Sequence, residues 1–210
     1  MNSIIALILA YIIGSIPSAY YAGKLAQGID LRQHGSGNLG FTNACRILGV
    51  KWSVPVLIFD FAKGVLAVFL ALWLVPESRV LPIFTGLAAI LGHSWTIFLG
   101  FQGGGKGVAT SAGVFLALTP IPLLITLMVF LLTLAISRYV SLASILGAVA
   151  LVVSGWLLRV MELEIAPPMP YFLFSLIVAI LIIVKHHSNI RRLLRGTESK
   201  FEKHHEEAAS

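Results

Sequence analysis

Apolar segments of membrane-spanning length make up most of this chain. A helix needs ~20 apolar residues to cross the hydrocarbon core of a bilayer, and the clear candidates are 3–25, 52–75, 80–101, 142–160 and 169–185. Of the 210 residues, 58% are hydrophobic and only 11% are charged, whereas a soluble domain has roughly 25% charged residues. The sequence therefore predicts an all-α, polytopic membrane helix bundle whose chemistry must lie on the membrane helices and their short loops.

The apolar stretch 108–137 decides how many times the chain crosses the membrane. As one helix it would be about 45 Å long at 1.5 Å per residue, and it contains Pro120 and Pro122, which break or kink helices. One crossing gives six spans and places the basic C-terminus opposite the basic loop 26–51. A break near Pro120 gives seven spans, one of them short or broken.

Charge favours the seven-span arrangement. One face then receives most of the basic residues, namely Lys24, Arg32, Arg46, Lys51, Lys106, Arg138, Lys185, Arg191, Arg192, Arg195, Lys200 and Lys203. The other face receives only Arg79 and Arg159, as the positive-inside rule requires. We predict seven transmembrane helices with the N-terminus outside and the C-terminus cytoplasmic, and leave open whether 108–118 crosses fully. Residues 1–198 form the predicted membrane domain, and 199–210 a polar, disordered cytoplasmic tail.

Three polar stretches, 34–46, 103–107 and 185–192, interrupt the apolar segments, and the first two are rich in glycine. Lipid excludes unpaired polar backbone, so such loops must be buried in protein or line a cavity. Flexible backbone together with Lys, Arg and Ser suits a bound phosphate. The seven-span topology brings all three stretches to the cytoplasmic face, which predicts a site there for phosphorylated substrates.

The glycine stretch 103–107 precedes a helix predicted to begin near Val108. Glycines let backbone N–H groups converge on an anion, and a helix N-terminus adds a favourable dipole. Residues 100–106 match most of a nucleotide-binding P-loop, but Gly107 stands where Ser or Thr would hold magnesium, and no strand precedes the loop. We exclude an NTPase and retain phosphate binding. The alternative is a membrane-surface turn with a snorkelling lysine.

Titratable residues near the ends of the spans are further candidates. Asp60 and Lys63 lie one turn apart inside the second span, which indicates a mutual ion pair or, for Lys63, contact with a substrate anion. His93 is either an interior histidine or a catalytic one. His186 and Asn189 share one helix face where the last span ends, and His186 is able to accept a proton near neutral pH.

Several function classes are excluded or disfavoured. The net charge of +6 follows from the flanking of apolar segments by basic residues, so no nucleic-acid partner is expected. No metal-ligand spacing of Cys and His occurs, and the single cysteine, Cys45, excludes an internal disulfide. We expect neither a metal nor a cofactor.

Ordered motifs along nearly the whole chain, from about Tyr11 to Glu198, resemble the bacterial membrane glycerol-3-phosphate acyltransferases that use acyl phosphate as donor. They read GSIPS at 14–18, DLR at 30–32, GSGN at 35–38, TN at 42–43, DFAKG at 60–64, LGH at 91–93, GGKGVAT at 104–110 and HxxNIxRLxxGxE at 186–198. The glycine stretch of the family is usually Gly-Gly-Lys-Gly, and here one more glycine precedes it.

The resemblance implies transfer of an acyl group from acyl phosphate to glycerol 3-phosphate at the inner membrane, a first step of phospholipid synthesis. Catalytic roles are then expected for Ser36, Arg46, Lys106, His186 and Asn189. Substrate contacts are expected from Asn38, Thr42, Asn43, Lys63, Gly103, Gly104, Gly105, Gly107, Thr110 and Arg192. Glu198 is expected to be structural, and a soluble enzyme that produces acyl phosphate is a possible partner besides membrane lipid.

Two questions stay open at this point. The base that accepts the proton of the hydroxyl is either His186 or a substrate phosphate. The function itself has an alternative, an organic-phosphate transporter with a basic site between broken helices. No histidine has an Asp five positions later, which is the pattern of the acyltransferases that use thioesters, so a thioester donor is not expected.

Overall fold

Helices account for nearly all regular structure in the part of the chain described by the computed structural model, residues 1–201. The α-helices are α1 Asn2–Ser15, α2 Ser18–Gln27, α3 Phe41–Leu48, α4 Val50–Leu74, α5 Leu81–Ser94, α6 Val108–Leu118, α7 Pro120–Ser137, α8 Val140–Val160, α9 Met169–Lys185 and α10 His187–Leu194. Short 3₁₀ turns cover Leu31–Gln33 and Ile97–Leu99. The predicted all-α membrane bundle is confirmed.

Most predicted spans agree with the observed helices to within a few residues, but the first is broken. Its two halves, α1 and α2, meet at Ile16 and Pro17, because proline cannot donate the next helical hydrogen bond. The break leaves carbonyl groups inside the bundle, where water is absent. Two side chains satisfy them: the Thr96 hydroxyl donates to the Ser15 carbonyl, and the Lys63 ammonium donates to the Ile16 carbonyl over 3.3 Å.

Close backbone contact joins α1 to α5. A methyl group on Gly14 would overlap the backbone of Ala89, and one on Gly92 would overlap the Tyr11 carbonyl oxygen. Lipid tails are as apolar as leucine, so membrane helices associate through tight packing at small residues. This pair of glycines therefore fixes how closely α1 and α5 approach.

Close packing at glycines also joins α4 to α6. A methyl group on Gly64 would overlap the Thr110 carbonyl oxygen, and one on Gly113 would overlap the Phe61 carbonyl oxygen. The short helix α6 is held against α4 in this way, while α7 and α8 pack against each other and α8 against α9. The arrangement leaves a gap bounded by α4, α6, α7 and α8.

The stretch 108–137 forms two helices that separate at Thr119, as the break near Pro120 predicts. Five segments are long and apolar enough to cross a membrane, and a sixth is Met169–Lys185 together with His187–Leu194, which are bent by 58° to each other. Helix α6 has only 11 residues, about 16 Å at 1.5 Å per residue. The count of seven crossings therefore stays a prediction.

Hydrogen bonds at the two ends of the bundle show which loops lie together. At one end the Tyr171 hydroxyl donates to the Arg79 carbonyl, which places the start of α9 beside the α4–α5 loop. At the other end the Phe201 amide donates to the Arg138 carbonyl over 2.7 Å. Residues 199–201, the start of the predicted tail, thus contact the bundle, and 202–210 lie outside the described residues.

Cysteine labelling tests the orientation. In a Cys45→Ala background, Arg138→Cys and Lys200→Cys should react with a membrane-impermeant maleimide only after permeabilisation, because both exposed positions lie at the basic end. Glu77→Cys, exposed at the opposite end, is the matched control and should react in intact cells. Labelling of positions 138 and 200 from outside would contradict the predicted orientation.

Candidate functional site

A cavity of about 550 Å³ opens between α3, α4, α6, α7, α8 and α9, with polar side chains at one end and apolar ones at the other. The apolar part includes Ile58, Phe115, Leu127 and Leu151. Of the predicted site residues, those that line the cavity are Ser36, Asn38, Thr42, Asn43, Arg46, Lys106, Gly107, His186, Asn189 and Arg192. All three polar stretches therefore meet at this cavity, as the topology predicts.

A chain of hydrogen bonds joins the glycine stretch to the last polar stretch. The Lys106 ammonium donates to Asn189 Oδ1 over 2.5 Å, and Asn189 Nδ2 donates to Glu198 Oε1 over 2.6 Å. Arg192 Nε donates to Glu198 Oε2 over 2.6 Å, and the Ser141 hydroxyl donates to Oε1 over 2.7 Å. Glu198 thus fixes both Asn189 and Arg192 toward the cavity, in keeping with its expected structural role.

Charge at this point is strongly positive. Burial, together with the cations Arg192, Arg46 and Lys185, lowers the pKa of Lys106 to about 8, while Glu198 opposes the shift. Such a group is protonated below about pH 8 and gains from any anion that binds beside it. A phosphate would therefore bind where cations already repel one another.

Glu198 stays ionised within this cluster. Burial favours its protonated form, but hydrogen bonds from Asn189, Ser141 and Arg192 outweigh burial and hold the pKa of Glu198 below its ordinary value. One carboxylate is thus available to hold the donors of the cluster in place. It faces several cations, so the site keeps a net positive charge for an anionic ligand.

The first polar loop is shaped by Asn43, which we expected to contact substrate. Its side chain is buried, with Oδ1 accepting from the Ser36 amide over 2.9 Å and Nδ2 donating to the carbonyls of Leu31 and His34 over 3.2 and 3.1 Å. Both N–H donors of the amide are used, so Asn43 positions Ser36 rather than offering donors to a ligand. The signal for this role is its place on a short helix after a glycine-rich loop.

Arg46 and Thr42 approach the cavity from the short helix α3. Arg46 Nη2 donates to the Ser199 carbonyl over 3.0 Å, which ties α3 to the segment that follows α10. Thr42 lines the cavity without capping α3, because Gly40 occupies the N-cap position. Ser36 and Asn38 line the cavity from the preceding loop. The first polar stretch thus supplies one cation and several hydrogen-bond donors.

The glycines of the second stretch are required for two different physical reasons. Gly103 and Gly107 have positive φ values of +67° and +77°, which L side chains rarely adopt, and Gly107 begins α6. Gly104 and Gly105 instead pack against the end of α5, where a methyl group would overlap the carbonyls of His93 and Ser94 or the His93 ring. Packing, not an approaching phosphate, excludes side chains at 104 and 105.

Two predicted substrate contacts lie away from the cavity. Lys63 is buried against Asp60, with Nζ 2.7 Å from Oδ1, so the mutual ion pair is confirmed and a substrate contact is not supported. Thr110 is buried at the α4–α6 contact beside Gly64. Lys63 and Thr110 do not line the cavity, and neither do the predicted contacts Gly103 and Gly105.

A second, polar cavity of about 350 Å³ adjoins the first. It shares Ser36, Asn38, Lys106, Asn189 and Arg192 with the larger cavity, and Gly104 lies on its wall. Its remaining lining is Gly37 of the first polar loop and, at the junction of α9 and α10, Val184, Lys185, His187 and Ser188. Lys106 and Asn189 therefore stand between a largely apolar cavity and a polar one.

His186 is buried at the junction of α9 and α10, and its ring is oriented by the preceding turn. Nδ1 lies 2.7 Å from the Ile182 carbonyl oxygen, an acceptor, so Nδ1 carries the proton of this contact. In the neutral ring Nε2 is then the nitrogen with a free lone pair. The geometry is compatible with His186 as a base, and the choice between His186 and a substrate phosphate stays open.

Comparison with known proteins agrees with this site. The family model described as glycerol-3-phosphate acyltransferase matches residues 4–196. The chain belongs to the glycerol-3-phosphate acyltransferase family. It is 44% identical to the glycerol-3-phosphate acyltransferase of Crocosphaera subtropica over 94% of this chain and 93% of that one. It is 46% identical to glycerol-3-phosphate acyltransferase 2 of Bacillus anthracis over 94% and 98% of the two chains.

Two crystal structures of PlsY (YgiH), an integral membrane glycerol 3-phosphate acyltransferase, are similar to this chain over nearly all of its length. The glycerol 3-phosphate form has a TM-score of 0.83 and 37% identity over 96% of each chain. The lysophosphatidic acid form has a TM-score of 0.84 and 37% identity over 97% of each chain. Fold and sequence thus agree on the family, and this chain is an integral membrane acyltransferase.

Several cavity residues were missed by the sequence reading of this acyltransferase. Ser141 has no motif around it, and only the fold places its hydroxyl on Glu198. Lys185 and Ser188 line the smaller cavity. They belong to the third polar stretch, of which only His186, Asn189 and Arg192 were predicted as site residues. The signal was present for Lys185, a cation at the end of a span next to a predicted phosphate site.

The pKa of Lys106 predicts the alkaline limb of the reaction. Because the ammonium loses its proton as the pH rises through about 8, the KM for glycerol 3-phosphate should rise and kcat/KM fall above that pH. Lys106→Arg, whose guanidinium stays charged, should remove the limb from whatever activity remains. Lys51→Arg, an exposed position on α4, is the matched control and should keep it. An unchanged limb in Lys106→Arg would assign the titration to another group.

Proposed function

We propose that this protein transfers an acyl group from acyl phosphate to the sn-1 hydroxyl of glycerol 3-phosphate, giving lysophosphatidic acid and inorganic phosphate. The observation that carries the proposal is the position of Lys106 and Asn189 between a largely apolar cavity and a polar one. One reactant of this reaction is a lipid and the other a small water-soluble anion. The names of the solved relatives, in glycerol 3-phosphate and lysophosphatidic acid forms, support this assignment.

The acyl phosphate occupies the larger cavity in this proposal. Its chain lies among the apolar side chains of α4, α6, α7 and α8, such as Ile58, Phe115 and Leu127, and enters from the bilayer between helices. Its phosphate lies at the polar end near Arg46 and Arg192. Cations at that end stabilise the leaving phosphate, because charge interactions are stronger in a site that excludes water.

Glycerol 3-phosphate occupies the smaller cavity. Lys185 and Ser188 contribute a cation and a hydroxyl there, and Asn38 and Ser36 close the other side. Lys106 reaches both cavities, so its ammonium is placed to neutralise the two substrates where they meet. Holding two anions in contact is the main task of such a site, since orientation alone supplies a large part of catalysis.

The reaction needs no covalent enzyme intermediate, because acyl phosphate is already activated. The sn-1 oxygen attacks the carbonyl carbon, the bond from that carbon to the phosphate oxygen breaks, and phosphate leaves. The hydroxyl proton passes to His186 or to a substrate phosphate. Ser36, Arg46, Lys106, His186 and Asn189 serve the chemistry in this proposal, and Asn38, Thr42, Gly104, Gly107 and Arg192 line the substrates.

The site lies at the cytoplasmic face of the bacterial inner membrane in this proposal, with the predicted orientation of the basic end. Glycerol 3-phosphate then enters from the cytoplasm. The lipid-like donor reaches the apolar cavity through the bilayer, and a soluble enzyme that makes acyl phosphate supplies it.

Donor choice is the direct test. Purified protein in lipid nanodiscs should form lysophosphatidic acid from acyl phosphate and glycerol 3-phosphate, and should not use acyl-CoA or acyl-carrier-protein in place of acyl phosphate. Arg46→Gln should lower kcat/KM at least tenfold, since hydrogen bonds to a charged group contribute ~1.5–3 kcal/mol. The matched control is Arg191→Gln, an exposed arginine on α10, which should retain activity. Glycerol 3-phosphate uptake into proteoliposomes without product formation would instead support the transporter.

The pH–rate profile of a His186 variant identifies the base. If His186 accepts the proton, His186→Ala should lower kcat about 10²–10⁴-fold and abolish the acidic limb. If a substrate phosphate accepts it, a limb should persist near pH ~6, the second pKa of a phosphate monoester, and the loss should appear mainly in KM. His34→Ala, an exposed histidine in the first loop, is the control that should leave both constants unchanged.

A further inference from the structure

A buried polar network joins α2, α4 and α5 beside the larger cavity. Asp60 Oδ1 accepts from the Lys63 ammonium and from the Ser18 hydroxyl, each over 2.7 Å, and lies 3.5 Å from His93 Nδ1. Asp60 and Lys63 are 1% exposed and His93 is 8% exposed. We call Ser18, Asp60, Lys63 and His93 the Asp60 network. The proposed chemistry does not use it, although charges at this depth are costly and usually functional.

The Asp60–Lys63 pair does not by itself explain the network. Lys63 lies one turn from Asp60 on the same helix, and the pair is complete within α4. His93 comes from α5, and both Asp60 and His93 line the larger cavity. A carboxylate that faces a histidine Nδ1 fixes the orientation of the ring, as it does in sites where the other ring nitrogen has a task.

His93 contacts the glycine stretch at two points. Its carbonyl oxygen accepts from the Gly105 amide over 3.0 Å. Its ring packs on the Cα side of Gly105, where a methyl group would overlap Nε2. The Leu39 carbonyl oxygen lies on another side of Gly105, 2.9 Å from the position of that methyl group. Gly105 is therefore held between His93 and the first polar loop.

Lys106 follows Gly105 directly and depends on this contact. Its long side chain is flexible, so the direction of the ammonium toward Asn189, 2.5 Å away, is set by where the backbone begins. On the other side Gly107 holds a left-handed conformation and begins α6. The two neighbours of Lys106 are therefore both held in place, Gly107 by the start of α6 and Gly105 by His93.

We propose that His93, oriented by Asp60, is a positioning residue that holds the glycine stretch and thereby places the Lys106 ammonium between the two cavities. This inference rests on the proposed function and deepens it. The path runs from Ser18 and Asp60 through His93 and Gly105 to Lys106. It explains why a glycine is needed at 105 although that residue lines neither cavity.

A double-mutant cycle across the His93–Gly105 contact is the main test. His93→Ala and Gly105→Ala should each lower kcat/KM for glycerol 3-phosphate about 10- to 100-fold. The double variant should lose clearly less than the product of the two single losses, because the ring that the new methyl group would strike is gone and only the crowding against the Leu39 carbonyl oxygen remains. Multiplied losses in the double variant would overturn the proposal.

A conservative substitution and a buried control separate positioning from general stability. His93→Asn keeps a donor near the place of Nδ1 and should recover part of the activity lost in His93→Ala, even if both lower the Tm. Ser15→Ala removes a buried hydroxyl that lines neither cavity, and it should retain full activity. Equal losses in His93→Asn and His93→Ala would overturn the role of the Asp60 contact.

The alkaline limb gives a readout that a purely structural role would not move. Loosening the glycine stretch hydrates Lys106, so its pKa should rise from about 8 toward its ordinary value, and the limb of kcat/KM should shift upward in His93→Ala. The charged and titratable groups that face Lys106 are unchanged in that variant: Arg46, Lys185, His186, Arg192 and Glu198. A limb that stays in place would overturn the proposal.

The outcomes separate this inference from the function on which it rests. Wild-type protein that forms no lysophosphatidic acid from acyl phosphate would overturn the proposed function, whatever the variants do. Active wild type with unchanged kcat/KM in both His93→Ala and Gly105→Ala would leave the function standing and overturn the positioning role. A Tm measurement on each variant shows that the compared proteins are folded.

Discussion

Polar groups that lie within a bilayer must satisfy one another, because lipid offers them no partner. This constraint organises the whole molecule. At the break between α1 and α2, Thr96 and Lys63 donate hydrogen bonds to the carbonyl groups left by the break. The charge of Lys63 is balanced in turn by Asp60. Further along, Lys106, Asn189 and Glu198 satisfy one another across the cavity. Two hydrogen-bonded groups result, one at the buried helix break and one at the cavities, and the bond from the Gly105 amide to the His93 carbonyl brings the glycine stretch between them.

Close glycine packing makes that system possible. Helices α4 and α6 approach until backbone touches backbone at Gly64 and Gly113, so the N-terminal turn of α6 lies beside the charged residues of α4. Helix α6, which has 11 residues, is also constrained at both ends. Its first turn must stand at the cavity, where Gly107 and Val108 form the wall, and its last residue meets the start of α7. A helix that served only to cross the membrane would not need both constraints.

Much of the fold and the gathering of the site could be predicted from sequence, since apolar length fixes the spans and charge fixes which loops share a face. The Asp60–Lys63 pair could be predicted from spacing within one helix. The burial of Thr110 and the hydrogen bond from Ser141 to Glu198 could not, because each depends on which helices touch. Asn43 had a signal in its place after a glycine-rich loop, but its partners depend on how that loop folds. Glycine is ambiguous in sequence: at 107 it permits a left-handed backbone, while at 105 it makes room for His93.

The two cavities explain why the cations stand where they do. In the proposed reaction a lipid donor and a water-soluble acceptor approach from different phases, so the two do not fit one pocket of uniform polarity. Residues on the shared wall, Lys106, Asn189 and Arg192 among them, line both cavities in the described part of the chain, and in this proposal they reach both substrates. A cation there gains most when both anions are present, because two phosphates in a site of low dielectric repel each other strongly. Binding energy is thus concentrated on the state in which the reactants are together, and that state is the one that precedes acyl transfer.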